Sequence, residues 1–176
     1  MSEPEFSRLV RLDTLGEGER RMRIEAEEGE RAALARRFGL VAIDRLAADF
    51  TLRRRGEEVA MAGALSAAVV QSCVATGVPL EAALDEPFEI LFRPQPEAAS
   101  GEEEVELDDS ELDVVFYDAA AVDAGEAVAE TLLLNLDPYP RAPGAEEALR
   151  AAGVKSEEEA GPFAALAGLK DKLRKD

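Results

Sequence analysis

From Leu46 to Arg53 the order alternates, with Leu46, Ala48, Phe50 and Leu52 on one face and Arg45, Asp49, Thr51 and Arg53 on the other. A period of two is the signature of a strand with one buried face. Arg54-Arg55-Gly56-Glu57-Glu58 then turns the chain, and Val59, Met61, Leu65, Ala67 and Val69 share one parity up to Gln71-Ser72-Cys73. Two long strands joined by a tight connection predict a hairpin. Thr76 to Pro79 is a second turn, and Phe88, Ile90 and Phe92 alternate with Glu89 and Arg93, which adds a third antiparallel strand and makes a meander.

Earlier in the chain, Phe6 to Leu12 and Arg20 to Ile24 read as short strands around Gly16-Glu17-Gly18. Glu27 to Phe38 carries Ala33, Leu34 and Phe38 at helical spacing and ends at Gly39, a natural helix terminator. Gln95 to Ser110 is rich in proline, alanine and glutamate with little to bury, and is expected to be a mobile acidic loop. Structure is expected to resume at Leu112 to Tyr117. Asp123 with Glu126 fits a capping box, opening a helix whose Val128, Leu132 and Leu136 form a stripe for the sheet.

Pro138 ends that helix, since proline disfavours helical backbone in the residue before it. The three prolines of DPYPRAPG, Asp137 to Gly144, make a stiff extended link outside the core. A short helix is expected at Ala145 to Ala152. Another capping box, Ser156 with Glu159, opens a helix with Phe163, Leu166, Leu169 and Leu173 on one side. That stripe suits either docking on a partner or folding back on its own domain. The expected organisation is a single α+β domain over 1–137, its antiparallel meander open or curled toward a barrel with packed helices, followed by a link and helical tail over 138–176.

Charge changes this picture most. The 176 residues hold 20 basic and 38 acidic side chains, net −18, with no histidine or tryptophan. Residues 20–55 carry ten basic and six acidic groups, whereas 81–137 carry one basic group, Arg93, against eighteen acidic. An acidic surface of this kind argues against a simple DNA or polyanion binder and favours basic partners. The start, MSEPEF, is acidic where a secretory leader is basic then apolar, and the longest nearly apolar run, Val59 to Val70, is too short for a bilayer. A cytoplasmic protein with no membrane contact is expected.

The single cysteine, Cys73, cannot form an internal disulfide, and without histidine it lacks the usual base of a thiol nucleophile and the usual co-ligands of zinc. The pattern reads it as a buried small residue at a strand end. Glu102-Glu103-Glu104 and Asp108-Asp109 lack the glycine-bent loop of a dedicated calcium site. An enzyme would need Asp108, Asp109, Glu111 and Asp113 to converge on a divalent ion, as in a metal-dependent nuclease. Arg53-Arg54-Arg55, with Arg36-Arg37 and Arg20-Arg21, makes either a local phosphate-binding face or a set of arginines solvating strand ends.

Three further stretches, in order and spacing, carry a resemblance. Val70-Gln71-Ser72-Cys73-Val74-Ala75-Thr76-Gly77-Val78-Pro79 with Glu86-Pro87-Phe88, then Val122-Asp123 through Glu126 to Glu130, then Leu136-Asp137-Pro138-Tyr139-Pro140-Arg141, are similar to the YceD-like large ribosomal RNA subunit accumulation family in its alphaproteobacterial form. The resemblance runs over roughly Phe6 to the C-terminus. It implies a bacterial protein with plastid relatives, long described as a domain of unknown function. It links the chain to accumulation of 23S rRNA and so to ribosome biogenesis, with no established catalytic residues or cofactor. Many relatives carry a cysteine pair at the position of Ser72-Cys73 and a second pair after the prolines, a metal site. Here Cys73 stands alone and Arg141 to Gly144 supplies no thiol, so no metal is expected.

Together these lines predict a non-catalytic binding module whose acidic third shields a basic ribosomal protein or sits on the maturing large subunit. The arginines of residues 20–55, Arg53, Arg54 and Arg55 among them, would make any local rRNA contact. Gln71, Cys73, Asp123, Glu126, Tyr139 and Arg141 complete the expected partner-binding set.

Overall fold

The computed structural model describes residues 4–16, 18–95, 113–117 and 120–154. Its elements are β1 (Leu9–Arg11), β2 (Arg20–Glu25), α1 (Glu28–Phe38), β3 (Ala42–Arg55), β4 (Glu58–Ser72), β5 (Pro79–Pro94), β6 (Asp113–Tyr117), β7 (Ala121–Asp123), α2 (Ala124–Asn135) and α3 (Ala145–Ala151). The five-stranded sheet runs β2-β3-β4-β5-β6, and β1 pairs with β7 in a sheet of two. This is the expected α+β class. Among the described strands no barrel closes, because β2 and β6 stand at opposite edges.

The expected parity holds along the central hairpin: Leu46, Ala48, Phe50 and Leu52 of β3 and Val59, Met61, Leu65, Ala67 and Val69 of β4 are all buried. Ile43 breaks that parity yet is also buried. A register shift between Ile43 and Arg45 inserts Asp44 as an extra residue and returns Ile43 to the inner face, which is what a β-bulge does.

Three elements differ from expectation. β5 is sixteen residues long, with even positions from Leu80 to Phe92 turned inward; its first half hides this because Ala82, Leu84 and Glu86 are weak markers of a buried face. Pro87 sits in it without harm, since β6 covers only Ile90 to Pro94 and that flank has no neighbouring strand among the described residues. β6 runs parallel to β5, so it does not extend the antiparallel meander. Parallel pairing needs a return of about a dozen residues or more, and the 18 positions between β5 and β6 allow one. β1 is confined to Leu9–Arg11 and pairs with β7; β2 pairs with β3. The expected loop is described only at Gln95, and the helix from Ser156 lies outside the described residues.

The chain divides into two compact units, one of residues 1–71 with 81–138, the other of 72–80 with 139–176. The core belongs to the first. Phe6, Leu34, Leu46, Leu52, Met61, Leu65, Phe92, Val128 and Leu132 are fully buried in it, each side chain contributing about 1.5–3 kcal/mol. In the second unit, the turn after β4 is closed by Cys73 N–H to Val78 O and Gly77 N–H to Cys73 O, both 2.8 Å. Val74 N–H bonds Pro140 O at 2.9 Å, so the proline segment lies against this turn.

α2 starts where expected, but the capping box is only half formed. Asp123 Oδ1 accepts from the N–H groups of Gly125 (3.0 Å) and Glu126 (3.1 Å). The Glu126 carboxylate does not close the box, because Arg37 takes it through Nη2 (2.6 Å) and Nη1 (3.0 Å); a doubly held charged pair outcompetes one neutral N–H donor. The complete reciprocal arrangement stands at α1, where Glu30 Oε2 accepts from Glu27 N–H at 2.8 Å. Gly39, at φ 67°, ends α1.

Two glycines permit close approaches. A Cβ on Gly63 would lie 2.3 Å from Asp49 O and 2.5 Å from Phe50 Cβ; one on Gly125 would lie 2.2 Å from Phe6 O. Both neighbours are backbone or core and cannot yield cheaply. Gly125→Ala is therefore expected to destabilise by ~2–4 kcal/mol, whereas Gly29→Ala in α1, with nothing within 4 Å, is expected to stabilise by up to ~1 kcal/mol. Urea unfolding of both variants checks this contrast, and equal midpoints would refute the clash.

Candidate functional site

The sheet packs one face into the core with α1 and α2, and among the described residues no helix or strand covers the other. Register fixes what the open face carries. Arg21 lies beside Thr51 and Ala62, Arg23 beside Asp49 and Ala64, Arg45 beside Ala68, and Arg53 beside Ala60. β4 contributes Ala60, Ala62, Ala64, Ser66 and Ala68, a lane with no large side chain. β5 contributes Glu81, Asp85 and Glu89, all exposed, spaced by four residues and so roughly 13 Å apart on one side of the strand.

Opposite charges on the molecule are used differently. Arg23 pairs with Asp49 (3.1 Å), Arg53 with Glu19, and Arg93 with Glu58 (2.9 Å). Arg8 grips Glu30 through both nitrogens (2.7 and 2.8 Å), and Arg37 joins Glu126 and Glu5. Hydrogen bonds from the Arg8 guanidinium hold the Glu30 carboxyl below the ordinary range; at Glu5, also lowered, a backbone hydrogen bond comes first and Arg37 second. Arg54 donates to the carbonyls of Leu12 (2.7 Å) and Gly56 (2.8 Å), and Arg31 to that of Ala26 (2.6 Å). Much of the arginine-rich segment is thus spent on holding the fold. Among the described residues, no ion pair involves Glu81, Asp85, Glu86 or Glu89.

The residues expected from sequence do not form one site. Arg53, Arg54 and Arg55 lie at the β3–β4 turn, where Arg55 faces Glu58. Gln71 is near the other end of the 15-residue β4, a strand roughly 45 Å long. There its Nε2 donates to Asp137 O at 2.8 Å and anchors the segment leaving α2. Asp123 and Glu126 serve the start of α2; Asp123 also accepts from Arg8 N–H (2.8 Å) and Ser7 Oγ (2.6 Å). Tyr139 and Arg141 are exposed in the second unit. What sequence reasoning missed is the acid row of β5, legible only once Glu81 and Asp85 are known to belong to the same strand as Glu89.

Cys73 is buried, as expected. Its sulfur accepts from Ala142 N–H at 3.3 Å, so the segment where the resemblance places a second cysteine pair does meet it. The Thr76 hydroxyl and this N–H favour the thiolate and bring the thiol to about 7 from its ordinary 9.0. Among the described residues no three Asp, Glu, His or Cys side chains gather as a metal site. Asp113 lies in β6, exposed; Asp108, Asp109 and Glu111 lie outside the described residues. Among the described residues no helix is long and apolar enough to cross a membrane.

The fold is an α+β scaffold whose sheet carries a row of exposed acids on one face of β5. The family model described as large ribosomal RNA subunit accumulation protein YceD matches residues 61–170, well over half of the 176 residues, and the chain belongs to that family. No curated protein matches the chain, and no solved structure does. The match begins inside β4, so it takes in all of the acidic third and omits Arg20 to Arg55.

Because the folded state favours the Cys73 thiolate, the stability it contributes relative to Cys73→Ser should be present above pH 9, decline between 9 and 7, and vanish below 7. Thiolate ultraviolet absorbance against pH should show a folded-state midpoint near 7; an unshifted midpoint would overturn the assignment.

Proposed function

We propose that this chain is a non-catalytic bacterial assembly factor of the cytoplasm that supports accumulation of large-subunit ribosomal RNA by holding a basic ribosomal protein, alone or on the maturing subunit. The observation that carries this is the row Glu81, Asp85 and Glu89. Three exposed carboxylates stand on one face of β5, beside a lane of small β4 residues, and none is in an ion pair among the described residues. Unpaired surface charge steers an oppositely charged partner and sets its register. The small lane lets a partner backbone approach the sheet closely.

RNA as the principal ligand is disfavoured by the net charge of −18. Any RNA contact falls to arginines that keep their charge outward, with Arg55 at the turn the foremost among the three expected there. A basic ribosomal protein needs its charge shielded before it meets RNA, and the acid row supplies that shield without transforming a substrate.

The test combines Glu81→Gln, Asp85→Asn and Glu89→Gln in the full chain. These exposed changes should leave the circular dichroism spectrum intact. Affinity for basic large-subunit proteins, measured by titration calorimetry at low salt, should fall by about tenfold or more, and the salt dependence should flatten. Equal affinity, or co-purification from the host of RNA without any basic protein, would sink the proposal.

A further inference from the structure

A second feature lies away from the open face. β6 is the edge strand of the five-stranded sheet: β5 pairs with one of its sides. Among the described residues no backbone hydrogen bond reaches Asp113 to Phe116 from the other. Beside it runs a groove of about 360 Å³ lined by Leu9, Val115, Phe116, Ala127, Glu126 and Glu130 together with parts of β7. Two of its apolar walls face water, Leu9 at 69% and Phe116 at 52% exposure. Edge strands with free amides beside an apolar trough recruit an added strand.

The rim chemistry selects the occupant. Glu126 is already held by Arg37, but Glu130, one turn further along α2, has no ion pair among the described residues. Partial desolvation and the neighbouring Glu126 raise its carboxyl above the ordinary range, against the pull of Arg37. The chain's own stretch 96–112 holds eight acidic and no basic residues, so like charge opposes it as occupant. The groove volume suits one or two side chains and lies at the low end of the roughly 300–1,000 Å³ of small-molecule sites.

We infer that the free edge of β6 and the adjoining groove bind an extended cationic peptide segment, which adds as a strand, seats an apolar side chain against Leu9 and Phe116, and places a lysine or arginine at Glu130. This rests on the reading that the partner is basic, and it adds a site and a binding mode to it. An extended, Lys- and Arg-rich segment with interspersed valine or isoleucine, as in an unfolded tail of a basic protein, has the required chemistry.

The probe is a fluorescein-labelled peptide, Arg-Val-Lys-Val-Arg-Val-Lys, titrated into the full chain by fluorescence anisotropy. Phe116→Ser and Glu130→Gln, both at exposed positions, should each weaken binding about fivefold or more with melting temperature unchanged. The triple β5 variant should stay within about twofold of the unaltered protein. Loss of ribosomal-protein binding there with this peptide unaffected separates the two sites, so either proposal can fail alone. Methylating alternate peptide amides should abolish binding, and hydrogen exchange of Asp113 to Tyr117 amides should slow on adding the unmethylated peptide. The inference is overturned if the methylated peptide or a version with serine for valine binds equally well, or if both groove variants bind as before. An RNA oligomer that displaces the peptide from this site overturns it too, as does a dimer of the chain that Phe116→Ser dissolves.

Discussion

Everything in the sheet depends on how closely β3 and β4 approach where Gly63 faces Phe50. With no side chain on Gly63, Phe50 lies over the β4 backbone and meets Phe88 of β5 with ring centroids 6.4 Å apart and planes tilted by 53°, a favourable aromatic arrangement. This contact bridges three strands at the level where the hairpin is farthest from both its ends. By fixing Phe88 inward it fixes Glu89 outward, and with it the parity of Glu81 and Asp85. One absent methyl thus determines on which side the unpaired acids appear, because a slip of one residue would turn the whole row into the core.

The uneven charge along the chain acquires a physical meaning in the fold. Arginine-rich and acid-rich segments do not neutralise one another wholesale. Arg8, Arg37, Arg53 and Arg93 each take a specific carboxylate, and Arg31 and Arg54 cap backbone carbonyls. The N-terminal segment around Phe6 to Arg8 is the most heavily stitched, with Arg8 over the Phe6 ring at 4.6 Å and on Glu30, and Ser7 on Asp123. Arg8–Glu30 and Arg37–Glu126, partly buried and two-pronged, contribute more than isolated surface pairs. Among the described acids outside these ion pairs are Glu81, Asp85 and Glu89 of β5, and Glu130 of α2.

Much of the architecture was legible because its signals are local. The alternation of β3 and β4, Gly39 after α1 and Asp123 before α2 depend on neighbours within a few residues. The length of β5 was not legible, since Ala82 and Leu84 alternate with charges and Pro87 interrupts the run; only a partner strand beside them makes the alternation meaningful. The direction of β6 depends on pairing across 18 intervening residues. Glu126 reads as a capping partner in the sequence because its competitor, Arg37, lies 89 positions away. The site suffered most: Arg53 to Arg55 and Gln71 are near one another in no sense but sequence, and the acid row needed β5 to be whole before it could be seen.

Pro87 has one more consequence. A sheet whose outer strand is only five residues long leaves the first half of β5 without a partner on that side among the described residues, a template on which copies of the chain could zip into fibrils. An imino acid in the middle of that template has no hydrogen to give, and the carboxylates on either side repel an identical copy. The row proposed here to meet a cationic partner would therefore also oppose pairing between identical copies, one set of carboxylates serving both ends.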